Sequence, residues 1–370
     1  MLRLHQLELS LDDAATFDPP RLRGLCAQRL HISEKAVAEA RLVKRSVDAR
    51  SRGGVRFSLT ADVTLAQGGE AEEKRLAARF KPNQVTVISG AAAGDTPDVF
   101  GLKLAPWPAG KARPLVVGAG PAGLFCALAL AVRGARPIVV ERGKPVEARE
   151  RDVDRLEACG EMDPESNVLF GEGGAGAFSD GKLTCGLNSP HIRTVLGTLV
   201  RCGAPEEILV AQRPHIGTDE LRRVLVGVRA ALRRLGAEVR FETRLTGLIL
   251  REGRIAGARL TGAAGEEELA TDTVCLAIGH SARDTYEWLC SLGLPMQQKP
   301  FAIGVRIEHL QRDIDRAQYG PSAGHPALPP AEYKLNAPTP DARGVYTFCM
   351  CPGGRVINAS SEPGGVNVNG

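Results

Sequence analysis

The sequence predicts an α/β protein in three parts, and three stretches carry that reading. Leu115-Val116-Val117 is a short apolar strand. It runs into a glycine-rich turn, an apolar stretch over 121–132 and a second apolar strand over 137–140, which is β–α–β in about the shortest length such a unit takes. Earlier, Val55, Phe57, Leu59, Ala61 and Val63 alternate with polar residues, the period of a half-buried strand. Later, 273–278 is a further apolar strand with a glycine exit. The expected division is a small α+β domain over 1–108, a parallel α/β domain over 114–285, and a mixed or antiparallel domain over 286–370 that interrupts it.

The elements follow in order. Leu2, Leu4, Leu7 and Leu9 suggest an opening strand, and residues 19–30 and 33–40 short helices, the second capped by Ser33. The run 109–114, rich in small residues and ending at Pro114, reads as a linker. A charged helix is expected over 145–158. Residues 163–190 carry many glycines and few signals of helix or strand. Thr218 is placed as the cap of a helix over 219–235 that Gly236 ends. Ala237, Val239 and Phe241 then open a strand, and a meander runs through Leu260. Beyond 300, strands are expected over 302–307, 344–350 and 355–359.

Composition narrows the function. Of 370 residues, 43% are hydrophobic and 24% charged, ordinary for a globular chain. A net charge of +4 and 4% aromatics do not describe a nucleic-acid binder, so nucleic acid is not expected as the main partner. The basic residues Arg41, Lys44, Arg45, Arg50 and Arg52 read as a solvated face or an interdomain contact. The N-terminus shows no leader pattern and no apolar run reaches about 18 residues, so no membrane partner is expected. Nine scattered cysteines read as packing thiols of a reduced, cytoplasmic protein. Cys349 and Cys351 share a strand face, where a packing role outweighs a redox pair or metal ligands. No metal site and no oligomeric signature are read.

Gly118-Ala119-Gly120-Pro121-Ala122-Gly123 fits the dinucleotide pattern G-x-G-x-x-G. The first glycine allows the turn from strand to helix. The second lets the backbone approach a pyrophosphate, and the third lets helix and strand pack closely. The helix N-terminus offers free N–H groups and partial positive charge to phosphates, and Pro121 suits a first helical turn. Glu141 ends the second strand about 20 residues after Gly120, where a carboxylate accepts hydrogen bonds from a ribose diol and repels a 2′-phosphate. Arg142 beside it leaves a 2′-phosphate reading open, against a plain surface charge.

Two later stretches favour FAD over NAD. The run 170–182, with Gly173, Gly174, Ala175 and Lys182, is too long for a turn, and its glycines let backbone lie against a flat ring. Ser179, Asp180 and Lys182 offer polar contacts to it. The strand that ends in Ala277-Ile278-Gly279 returns to the sheet after an excursion that a plain NAD domain does not need. No second G-x-G-x-x-G and no C-x-x-C occur, which sets the chain apart from disulfide reductases.

These motifs, with the runs 44–50, 163–168, 171–182, 214–219, 279–285 and 346–354, resemble the uncharacterised FAD-dependent dehydrogenases (NAD/FAD-utilising dehydrogenase type) of bacteria. The chain is more distantly similar to the glutathione-reductase-like FAD superfamily. The resemblance implies a Rossmann-like FAD-binding domain interrupted by a mixed or antiparallel substrate domain and preceded by a small α+β domain. It also implies a longer chain whose C-terminal segment returns to the flavin, so a truncated form or fragment is expected here. The expected activity is FAD-dependent oxidation or reduction of a small organic substrate, with NAD(P)H as a transient reductant. A flavoprotein of RNA modification and a non-enzymatic FAD sensor are the rival readings.

The expected cofactor contacts are Gly118, Gly120, Pro121, Ala122, Gly123, Glu141, Arg142, Gly173, Gly174, Ala175, Lys182, Ala277 and Gly279. Candidates for chemistry are Lys182, toward the flavin edge or the phosphates, and the acid–base groups His215 and His280. Each has a plain alternative, a solvated lysine or a structural histidine. Arg283 and Asp284 read as an ion pair at a helix start.

Overall fold

A computed structural model describes residues 1–50, 54–88, 104–178, 181–183, 187, 189–341, 343–348 and 350–369. Contacts divide the chain into two compact units. One comprises Met1–Thr96, Glu206–Pro214 and Glu308–Arg355; the other comprises Pro97–Pro205, His215–Ile307 and Val356–Gly370. Residues 308–355, which the sequence assigns to a third domain, thus group with the N-terminal part.

In the first unit, β1 (Leu2–Leu9) is followed by a short helix α1 (Leu11–Ala15) and by α2 (Pro19–Leu30). Then come β2 (Val37–Asp48), β3 (Arg56–Leu65), α3 (Gly69–Ala77) and β4 (Val85–Val87). The sheet order β2-β3-β1-β4, with antiparallel pairs, is that of a split β-α-β unit. Leu4 and Leu7 are three apart yet share the core face because a bulge, with Gln6 at φ 55°, takes up the extra residue. With Leu2, Leu9, Phe57, Leu59, Ala61 and Val63 they pack against Leu22, Cys26 and Leu30 of α2. The helix expected over 33–40 is a single 3₁₀ turn, Glu34–Ala36, whose Ser33 hydroxyl accepts from the Lys35 N–H. From Val37 the chain instead forms β2, because ten residue pairs of β3 are available to satisfy its backbone. The basic run is absorbed within this unit. Buried Asp62 accepts from Arg3 at 2.7 and 2.9 Å and from Arg41 at 3.2 Å. Arg45 lies over the Phe57 ring and Arg50 pairs with Asp48, while Arg52 lies outside the described residues.

The second unit is built on β5 (Leu115–Val117), α4 (Pro121–Val132), β6 (Ile138–Val140) and α5 (Val146–Cys159). It continues with α6 (His191–Arg201), α7 (Thr218–Arg234), β7 (Glu238–Arg240) and the meander β8 (Arg244–Arg251), β9 (Arg254–Gly262) and β10 (Gly265–Ala270). β11 (Val274–Leu276) and α8 (Arg283–Ser291) follow. The parallel sheet has the order β11-β5-β6-β7. Leu115, Val117, Ile138 and Val140 face the meander residues Leu245, Ala258 and Leu260. Gly217, at φ 73°, takes the cap position that the sequence gives to Thr218, and Thr218 is the first helical residue.

Residues 302–307 are not a strand. Phe301, Ile303, Val305 and Ile307 are 71–93% exposed, and among the described residues no strand pairs with them to close a ladder. Farther on, short strands occur at Gly344–Tyr346 and Ile357–Asn358, within the stretches expected. Among the described residues no helix is long and apolar enough to cross a membrane.

Candidate functional site

In the parallel sheet, β6 and β7 lie on one side of β5 and β11 on the other, so the strand order reverses beside β5. In an open α/β sheet ligands bind outside the carboxyl ends of the strands at such a reversal. The Gly118–Gly123 loop leaves β5 at that point and opens a cleft of about 440 Å3.

The three glycines of the loop do different things. Gly118 sits at φ +102°, and a Cβ there would fall 2.3 Å from the Ala277 carbonyl oxygen. A Cβ on Gly123 would fall 1.8 Å from the Gly118 oxygen, so helix and loop touch through bare backbone. Gly120, just before α4, is different: the nearest protein atom to a Cβ there is the Gly174 Cα at 3.9 Å. A Cβ on Gly174 would in turn lie 3.4 Å from Gly120. Gly120 and Gly174 thus meet backbone to backbone at the edge of the cleft, where neither carries a side chain. The N-terminal N–H groups of α4 open onto the same space. A flat dinucleotide with a pyrophosphate fits that cradle.

Glu141 is buried at the end of β6 and borders the cleft. Its Oε2 accepts from the Ala119 N–H at 2.7 Å, and its Oε1 from Gly143 at 2.9 Å and Gly171 at 3.1 Å. A carboxylate has about four acceptor directions, so one remains for a ligand hydroxyl. Arg142 also borders the cleft. Burial opposes its charge, but hydrogen bonds to Glu165 at 2.7 Å and to Asp284 at 2.9 Å more than offset that and hold it charged. Its guanidinium lies over the Phe170 ring at 4.7 Å. Asp284 therefore pairs with Arg142, not with Arg283, whose own partner is Glu362. Arg283 and Asp284 are neighbours in sequence, but each is drawn to a charge brought near by tertiary folding.

Gly174, Ala175, Ala277, Gly279 and His280 border the same cleft as Gly118, Gly120, Pro121 and Ala122. His280 is exposed, with Nδ1 at 2.8 Å from the Ser281 hydroxyl. Gly123 and Gly173 stand one layer back, and Gly173 donates to the Ala119 carbonyl at 2.8 Å. Lys182 and His215 are brought together elsewhere, by a backbone bridge next to the Ile216 to Gly181 hydrogen bond, and neither borders this cleft. Ser179, Asp180 and Cys349 lie outside the described residues.

A second layer, which motif reading does not single out, holds the glycine strip in place. Arg149 has no exposed surface and donates to the carbonyls of Asn167, Val168 and Glu172 at 2.6–2.8 Å. Burial pulls it down to about 10. Glu172 is also fully buried. Its Oε2 accepts from the Val146 N–H at 2.9 Å and from Arg229 at 3.0 Å, whereas its Oε1 has no partner. Burial pushes Glu172 up to about 7, against the pull of Val146 and Arg229. The sequence signal for this layer is faint: a charged residue inside a glycine run, with its partners on two separate helices.

Residues 113–149 match the family described as FAD binding domain, and residues 300–370 match FAD-dependent protein, C-terminal domain-like. Residues 1–64 match a domain of unknown function. An uncharacterized protein of Clostridium beijerinckii is 39% identical over 375 residues, covering 100% of this chain and 66% of that protein. The chain thus spans just under two thirds of the length of that relative. Among solved structures, Thermovibrio ammonificans THI4 is 16% identical, covering 50% of this chain and 62% of that one at a TM-score of 0.35. The glycerol-3-phosphate dehydrogenase of Bacillus halodurans complexed with FAD is 15% identical, covering 48% and 36% at a TM-score of 0.30. Likeness at that level carries no weight for mechanism. The family matches agree with the cradle: the chain has FAD-dependent domains, and FAD is the cofactor.

Proposed function

We propose that this chain is an FAD-dependent oxidoreductase, a dehydrogenase of a small organic substrate, whose flavin NAD(P)H reduces transiently. One observation carries the reading: a glycine-rich phosphate loop at the reversal of strand order, joined to a carboxylate at the end of the next strand. When bound, FAD supplies hydride or electron transfer, and the protein's part is to bind and orient it. In this reading Gly118, Gly120, Pro121, Ala122 and Gly123 receive the pyrophosphate, and the free acceptor direction of Glu141 takes a ribose hydroxyl. Arg142 flanks the nucleoside end, while Gly174, Ala175, Ala277 and Gly279 shape the walls. His280, on the cleft rim, is the candidate to hold or move a proton.

The test is the visible spectrum of the purified protein before and after anaerobic addition of NADH or NADPH. Flavin bands that bleach support the reading, and Gly120→Asp, which puts a carboxylate into the phosphate cradle, is expected to lose the bands. Full flavin content in that variant would refute the assignment of the loop.

A further inference from the structure

Gly123 of α4 packs over Ala277 beyond β11: a Cβ on Gly123 would meet the Ala277 Cβ at 3.4 Å, an ordinary contact. Three residues further along α4 stands Cys126, and two residues back along the strand stands Cys275. Residues three apart share a helix face and residues two apart share a strand face. In a β–α unit the helix runs back against the strand, so both steps move in the same direction along the sheet. They differ little in length, about 4.5 Å on the helix and about 6.6 Å on the strand. The same register that seats Gly123 on Ala277 therefore seats Cys126 on Cys275. The two thiols do interact, each being the main influence on the other's proton affinity. Both are free and partly exposed. The absence of a side chain at Gly123 lets helix and strand approach closely at this register.

We propose that Cys126 and Cys275 form a reversible dithiol–disulfide couple that ties α4 to β11 beside the phosphate loop. The oxidant is a peroxide. Attack of the Cys275 thiolate on hydrogen peroxide forms an S–O bond, breaks the O–O bond and releases water. Attack of Cys126 on that sulfur forms the S–S bond and releases the second water. Two thiols are oxidised by two electrons and one peroxide is reduced to two waters. The assignment of Cys275 as the attacking sulfur follows from the asymmetry of the pair. Cys126 holds Cys275 below the ordinary thiol range, whereas Cys275 and burial hold Cys126 above it. The bond would fix the strand that leads directly into Ala277–Gly279, one wall of the cleft.

Trypsin separates the partners cleanly, because peptides 112–133 and 260–283 contain Cys126 and Cys275 as their sole cysteines. The full chain is treated with a few equivalents of hydrogen peroxide, alkylated and digested without reductant. The expected result is a linked pair of these two peptides that dithiothreitol releases, with two fewer titratable thiols. In the Cys126→Ala variant the linked pair is expected to vanish. Two results would overturn the proposal: both cysteines still alkylated after peroxide, or Cys275 over-oxidised in the unsubstituted chain with no linked peptide. The readout on the unsubstituted chain stands even where the variant does not fold.

Discussion

Glu172 is a buried acid whose removal should stabilise the protein in alkali and change little in mild acid. The value rises from 4.5 to about 7 on folding. At ~1.4 kcal/mol per decade of proton affinity, that is about 3 kcal/mol. The groups facing it are the Val146 N–H and Arg229, with Glu147 and Arg233 behind them, and their effect is already contained in the value. Because the folded value lies above the unfolded one, the folded chain keeps an extra proton between pH 4.5 and about 7. The stability linked to it is complete below pH 4.5 and is lost as the pH rises through about 7. Glu172→Gln mimics the protonated acid and can still accept from Val146. Its stability relative to the unsubstituted chain should therefore climb by about 3 kcal/mol between pH 4.5 and pH 8. Guanidinium unfolding at four or five pH values, followed by tryptophan fluorescence, measures this. Both tryptophans, Trp107 and Trp288, lie in the unit that contains Glu172, so the signal reports that unit alone. A stability difference that is flat with pH, or that falls, would refute the reasoning.

Two further outcomes follow from the packing. Gly123→Ala places a Cβ 1.8 Å from the Gly118 oxygen, so α4 must move off the loop. The expected loss is about 1–3 kcal/mol in the same fluorescence assay, together with loss of flavin absorbance. Asp62→Ala leaves Arg3 and Arg41 without their buried partner in the other unit. Both arginines keep partial contact with water, so the expected cost is roughly 1–2 kcal/mol, read by circular dichroism during denaturation.

The β5–α4–β6 unit was legible because three local signals agree over 27 residues: apolar triplets, glycines in fixed positions and an acid at the strand end. β2 was not legible. Its exposure pattern hardly alternates, and what makes it a strand is the length of β3 beside it. The stretch 302–307 erred the other way. It has an alternating pattern, but the pattern alone does not supply a partner strand. At the site, the glycines and Glu141 could be read from spacing. Asp284, which comes to Arg142 from 142 residues away, could not. Nor could Arg149, Glu172 and Arg229, since burial and pairing across helices are properties of the folded chain.

This second layer changes what Glu141 does. Spacing alone makes it a ligand for ribose, yet three backbone N–H groups already point at it before any ligand arrives. Two of them come from the phosphate loop (Ala119) and the glycine strip (Gly171). Gly173 ties strip to loop a second time through the Ala119 carbonyl. Arg149 holds the strip through the Glu172 carbonyl and the segment leading into it through those of Asn167 and Val168. The two walls of the cleft are therefore set by the fold and do not wait for the cofactor. Binding then need not supply the entropy of ordering either wall, which is how a preorganised site gains affinity without added contacts. The same logic explains a buried Glu172 with one unpartnered oxygen: its position, anchored at Val146 and Arg229, fixes the strip, and the raised proton affinity is the consequence of that placement.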